Sequence, residues 1–401
     1  MSTTAEQMRN WRGPAILTFG FRPFFFGGAV WAALAMLLWV LMISGVITLP
    51  TAFDPVSWHA HEFLFGYLSA ISAGFLLTAV PNWTGRLPIV GWPLAGLFAI
   101  WVAGRLAVAF SAMLPAVLVA LVDLALPVTL GFMIGREIVA GKNWSNLIVL
   151  GMLAVFGMAN AIFHWEAATV GNAAQGYGLR LGLGAGLMMV AVIGGRIVPS
   201  FTRNWLVKRG VGRLPTPPMR RFDKVALMLL LAALLLWGLW PTHPASGWAL
   251  LVAGIVHVAR LVRWAGYRTV PEPLVFVLHL AYGFLPLGAL AVGCAILWPD
   301  HFSSAPAQHL WMAGTIGMMT LAVMTRATLG HTGQPLVAGP KTVAIYGALM
   351  VAVFARVSAG LCPQASGWLY DLAGLGWIAA FAGFAVIYGA LLLRAPAARK
   401  L

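Results

Sequence analysis

Apolar runs of about twenty residues recur along the whole chain, each long enough to cross about 30 Å of hydrocarbon as a helix. They fall at 24–46, 58–80, 92–110, 113–135, 144–164, 177–199, 222–240, 246–265, 273–297, 305–329, 342–361 and 367–393. Inside a bilayer every backbone N–H and C=O must find its partner within the segment, so such runs have to be helical. The expectation is an all-α polytopic membrane protein with twelve transmembrane helices. It comprises an N-terminal segment 1–23, one transmembrane domain 24–394 and a tail 395–401. The first run is longer than a signal-peptide core and lacks a small-residue cleavage site, which reads as an uncleaved first helix. Composition agrees, since 61% of residues are hydrophobic and 9% charged, against about 25% charged in soluble domains.

The charges that remain are ordered. Of the 25 basic residues, all but Arg105, Arg180, Arg196, Arg326 and Arg356 lie in the N-terminal segment, after the twelfth run, or in and beside the stretches that follow even-numbered runs. The stretches after odd-numbered runs, including 47–57, 165–176, 241–245, 298–304 and 362–366, carry none. By the positive-inside rule both termini are cytoplasmic. The net charge of +15 therefore reports topology, and no nucleic-acid partner is expected.

With that orientation the histidines sort unevenly. His59, His61, His164, His243, His301 and His309 gather near the outer face, with Glu62 and Glu166. His331 sits at the inner end of the tenth run, and His279 about 9 Å into the ninth, at 1.5 Å per residue. Polar residues in membrane spans usually mark sites, and clustered imidazoles suit haem iron or copper. His59 and His61, two apart, would point roughly 200° apart in a regular helix and could not share one metal. One can ligate while the other pairs with Glu62. Asp123, about 15 Å into the fourth run, needs a partner or a proton. Arg105, Arg180 and Arg356 lie toward the side without basic loops, where they either snorkel or hold an anion. No Cys-x-x-Cys occurs, which excludes covalent c-type haem and thiolate clusters. Cys294 and Cys362 read as buried packing residues.

A faint repeat connects runs two, six and ten. The first two end in Val80-Pro81-Asn82-Trp83-Thr84 and Val198-Pro199-Ser200-Phe201-Thr202. His61 to Gly66 and Thr84-Gly85 recur without a gap as His309 to Gly314 and Thr332-Gly333. Four helices separate each motif from the next, a pattern of three four-helix repeats.

Several strings are similar to those of the NnrS family. They are Phe21-Arg22-Pro23-Phe24-Phe25, Trp58-His59-Ala60-His61-Glu62, Gly74 to Gly85, Gly195-Arg196-Ile197-Val198-Pro199, Phe201-Thr202-Arg203-Asn204 and Thr325 to Gly333. The resemblance implies a bacterial inner-membrane protein containing b-type haem and copper, linked to denitrification and resistance to nitric oxide. Carried over by position, it points to His59, His61, Glu62, Arg105, His164, Arg196, Arg203, His309, Arg326, His331 and Arg356. In this reading His59 or His61, with His309, supplies axial haem ligands, and Arg105 and Arg356 bind propionates. His279 and His331 form a second metal site, with Arg196 and Arg326 as alternative propionate partners. Glu62 and Asp123 are candidates for proton relay. The expected partners are the lipid bilayer, nitric oxide and an electron donor. Twelve helices with Pro81, Pro127, Pro199 and Pro286 also suit a secondary transporter of a small anion or metal complex. A haem or copper delivery factor for a denitrification enzyme is a third reading, and it predicts an exchangeable cofactor.

Overall fold

A computed structural model describes residues 11–85, 88–210 and 212–394. The expected tail 395–401 and Arg9, Arg86, Arg399 and Lys400 lie outside the described residues. Among those described there are twelve long helical runs and no strand. They are α1 (Phe21–Ile43), α2 (Pro55–Thr84), α3 (Trp92–Ala109), α4 (Ala116–Ala140), α5 (Leu147–Thr169) and α6 (Tyr177–Lys208). They continue with α7 (Arg221–Leu239), α8 (Pro244–Val262), α9 (Pro273–Leu297), α10 (304–331), α11 (Pro340–Leu361) and α12 (Ser366–Leu393). Eleven are long and apolar enough to cross a membrane. The remaining one, α10, has the length but is diluted by Gln308, His309, Arg326 and its threonines.

The helix ends follow local chemistry. Asp54 Oδ1 accepts from the amides of Val56 and Ser57, both at 3.0 Å, and Pro55 fills the first turn. This starts α2 three residues before the apolar run does. Gly85, at φ 68°, closes the same helix in the left-handed conformation. Glu272 before Pro273 starts α9 by accepting from Leu274 N at 3.2 Å. The sixth apolar run ends at Pro199, yet α6 continues to Lys208. A proline inside a helix frees a carbonyl and must be compensated. Pro199 frees the Gly195 carbonyl, and in the turns around it Ser200 Oγ donates to Arg196 O at 2.6 Å and Thr202 Oγ1 to Val198 O at 2.9 Å.

Three helices carry a π segment, at Glu62–Tyr67 in α2, Val190–Gly194 in α6 and Leu310–Gly317 in α10. These are the helices that the sequence repeat connects. In α2 and α10 the segment begins immediately after His61 and His309. One extra residue per turn rotates the remainder of the helix and re-aims its side chains, which is why π segments recur at functional sites.

The chain divides into two compact units. The first holds the residues up to Gly182, Ala327–Gln334 and those from Phe381 on; the second holds Leu183–Arg326 and Pro335–Ala380. The core of the first unit packs α1 to α5 around Phe24, Leu76, Trp101, Leu130 and Leu153. In the second, α7, α8 and α9 are successive neighbours and the π segment of α10 packs on α9.

Candidate metal centre

In the first unit six polar side chains meet where water is excluded. They are His61 and Glu62 of α2, Arg105 of α3, Asp123 of α4, and Asn160 and His164 of α5; none is more than 6% exposed. Arg105 Nη1 donates to both oxygens of Glu62 at 2.7 Å, and its Nη2 donates to Asp123 Oδ1. Asp123 Oδ2 accepts from Asn160 Nδ2 at 2.7 Å and lies 3.0 Å from His164 Nε2 and 3.2 Å from His61 Nε2. His61 Nδ1 is 3.0 Å from Glu62 Oε1.

Two glycines make room for this. A Cβ on Gly66 would lie 2.2 Å from Arg105 Nη1, and one on Gly104 would lie 2.9 Å from Asp123 Oδ1. The π segment leaves the Gly66 carbonyl to outside donors, Trp101 Nε1 at 2.9 Å and Ser69 Oγ at 3.0 Å.

The partners fix the protons. Ionised Glu62 and Asp123 only accept, and Asn160, donating through Nδ2, turns its Oδ1 to His61 Nε2 at 3.1 Å. Both ring nitrogens of His61 face acceptors, so without a metal the ring carries both protons. Arg105 and His61 then balance Glu62 and Asp123, two charges against two, as a buried polar group requires. The same geometry suits a metal cation in place of the Nε2 proton. One donor atom each from His61, Asp123 and His164 lies within 4.8 Å of the others. Glu62 would hold His61 from behind through Nδ1, as carboxylates do for metal-bound imidazoles. The rings of Phe53, Phe65 and Phe163 each lie 5.5 Å from that of His61, which keeps the local dielectric low. A cavity of about 10 Å³ lined by Arg105, Asp123, Asn160 and Ser69 adjoins the cluster. That is room for about one water-sized molecule.

The other sequence candidates sit elsewhere. His59 stacks on Trp39 at 4.4 Å and packs against Phe63, so it and His61 do face different surroundings. In the first unit His331 lies beside Phe19 and Phe21. Arg180 donates to Gln175 O and covers the Tyr177 ring. In the second unit His309 Nδ1 donates to Ala305 O at 2.7 Å, which leaves Nε2 as an acceptor. Arg356 lies over Tyr370 with a buried Nη1 that has no hydrogen-bond partner. His279 Nε2 meets Thr202 Oγ1 at 2.7 Å. Arg326 stacks on Phe201 at 4.0 Å, and Arg196 O accepts from Ser200. Cys294 is half-buried and Cys362 exposed, both as thiols, so the packing expectation fails for Cys362.

Two arginines counted as loop charges are fully buried. Arg22 Nη1 donates to Leu392 O at 3.2 Å and Arg394 O at 2.9 Å, capping the end of α12. Arg260 donates from Nε to Asp223 Oδ1 at 2.8 Å, and from Nη1 to Ala191 O at 3.1 Å and Tyr282 Oη at 2.7 Å. Tyr282 Oη in turn lies 2.9 Å from His257 Nδ1. No signal within α8 alone could have placed Arg260 there. Asp223 in the first turn of α7 was its only carboxylate within the neighbouring helices, and that was the available clue.

The fold and the centre define a polytopic helical membrane protein with a buried, charge-balanced cluster able to hold one metal ion. The chain belongs to the NnrS family, whose profile, described as NnrS protein, matches residues 15–395. No curated protein matches the sequence.

Proposed function

We propose that this protein binds nitric oxide in the bacterial inner membrane at a copper ion held by His61, Asp123 and His164, and passes it on by reduction or transfer. The observation that carries this reading is the convergence of two imidazole nitrogens and a carboxylate oxygen on one point inside a bilayer-embedded helix bundle. Imidazole and carboxylate donors suit copper. The charges leave room for a bound cation: Glu62 and Asp123 against Arg105 leave the cluster one positive charge short, which a proton supplies when no metal is bound.

The haem that the family resemblance implies does not fit this centre, where the cavity of about 10 Å³ cannot take a macrocycle. Histidine and arginine of the second unit fit it better. His309 Nδ1 is committed to a backbone carbonyl, the usual posture of a ligating imidazole, and Arg356 within its electrostatic reach carries an unpartnered Nη1 suited to a propionate. When bound, either metal would supply a coordination site for nitric oxide and, with the expected electron donor, the redox chemistry. The chain's own residues do the rest. Asn160 and Arg105 line the small cavity with donors, Glu62 holds the Nδ1 proton of His61, and the phenylalanine rings exclude water. An anion transporter would need a guanidinium open to substrate at mid-membrane; Arg105 and Arg260 are both occupied by carboxylates of this chain, and Arg356, whose Nη1 has no partner, lies toward the end of α11.

Spectra of the purified protein, oxidised, reduced, and reduced under nitric oxide, test the proposal. A band or copper signal that changes with the gas, and whose copper part disappears in His61→Ala and His164→Ala, is the expected result. Colourless, metal-free protein from cells well supplied with iron and copper would overturn it.

A further inference from the structure

The first unit has a second hollow whose position bears on how a ligand reaches the centre. Between α4 and α5 runs an apolar groove of about 450 Å³, with Leu124, Val128 and Phe132 on one side and Leu153, Gly157 and Met158 on the other. Its rim faces outward: Val128 is 68%, Phe132 73% and Met158 53% exposed. Pro127 lines this groove and also the small polar cavity at Asp123 and Asn160. Pro127 thus stands between a lipid-facing hollow and the charged cluster. On the inner side Leu126 and Phe156, each 2% exposed, complete the wall.

The wall is thin for reasons in the sequence. Pro127 has no amide hydrogen, so it cannot donate to the carbonyl of Asp123 one turn earlier, and α4 is weakened at the level of the cluster. Opposite Pro127 stands Gly157, where a Cβ would make only an ordinary contact of 3.6 Å with the Pro127 ring. Glycine therefore leaves the groove deep where alanine or a larger residue would fill it.

We infer that the α4–α5 groove is the port through which a small uncharged gas molecule passes from the bilayer to the buried cluster, past Pro127. The inference rests on the nitric oxide reading above and specifies its ligand class. An apolar route rejects ions and lets pass solutes that already partition into lipid. The inner cavity admits about one water-sized molecule, which excludes anything much larger than a diatomic. A lipid acyl chain is the competing occupant of the groove, and it cannot enter the inner cavity.

Two measurements on the full chain separate the port from the function. Xenon, a larger apolar atom that fits the groove but not the inner cavity, should bind the metal-free protein under pressure with density in the groove beside Pro127, and Gly157→Phe should abolish that peak. In copper-loaded protein in nanodiscs, Gly157→Phe should slow the spectral response to nitric oxide about tenfold with the same end point, since passage limits association. An unchanged rate in Gly157→Phe, or an acyl chain filling the groove in place of xenon, overturns the port. A xenon peak in the groove of a protein that gives no response to nitric oxide keeps the port and overturns the functional reading.

Discussion

Arg105 stands between two buried carboxylates, and its loss is expected to be severe. Arg105→Leu leaves Glu62 and Asp123 with only His61 against them in a buried site, a change that costs about 3–5 kcal/mol where one partner of a buried pair is removed. Thermal or denaturant unfolding in detergent measures this, and a variant as stable as the parent would contradict the assignment. Gly66→Ala acts on the same contact from the other side, since its Cβ would sit 2.2 Å from Arg105 Nη1. A destabilisation of about 1–3 kcal/mol, typical of overpacking, and reduced metal occupancy are expected. At this scale the sequence was informative about identity and poor about partnership. His61, Glu62, Arg105, Asp123 and His164 could each be singled out as polar residues in apolar runs. Their meeting could not, because contacts across α2, α3, α4 and α5 depend on helix rotation, which the π segment after His61 resets. Arg22 and Arg260 show the converse, since both look like loop charges and are fully buried.

Helices were the most legible level. α9 runs over the expected 273–297, and most ends elsewhere fall within a few residues of the apolar runs. At α2 the differences have identifiable causes in Asp54 and Gly85, while α4 and α5 run past their apolar runs to Ala140 and Thr169. One helix end depends on another helix. Glu166 of α5 accepts from the amides of Tyr177 at 2.7 Å and Gly178 at 3.0 Å, supplying the cap that the start of α6 lacks locally. Glu166→Gln should weaken that end by about 0.5–2 kcal/mol, the usual worth of a cap. Faster hydrogen exchange confined to the first turn of α6 would show it, and unchanged exchange at Tyr177 and Gly178 would contradict it. The π segments were not legible at all, because they leave no mark on an apolar pattern.

For the whole molecule, the charge alternation predicts which side each loop faces, and Cys362 offers a direct check. It is an exposed thiol after α11, where the charge rule expects the outer face. A membrane-impermeant thiol reagent should label it in cells whose inner membrane is intact, and labelling only after lysis would reverse the topology. The central claim concerns the metal centre itself, and bound metal per chain in purified protein tests it most directly. Stoichiometric copper in the wild type, lost in both His61→Ala and His164→Ala and kept in His309→Ala, is the predicted result. Copper retained in full by a His61→Ala, His164→Ala double variant would contradict it.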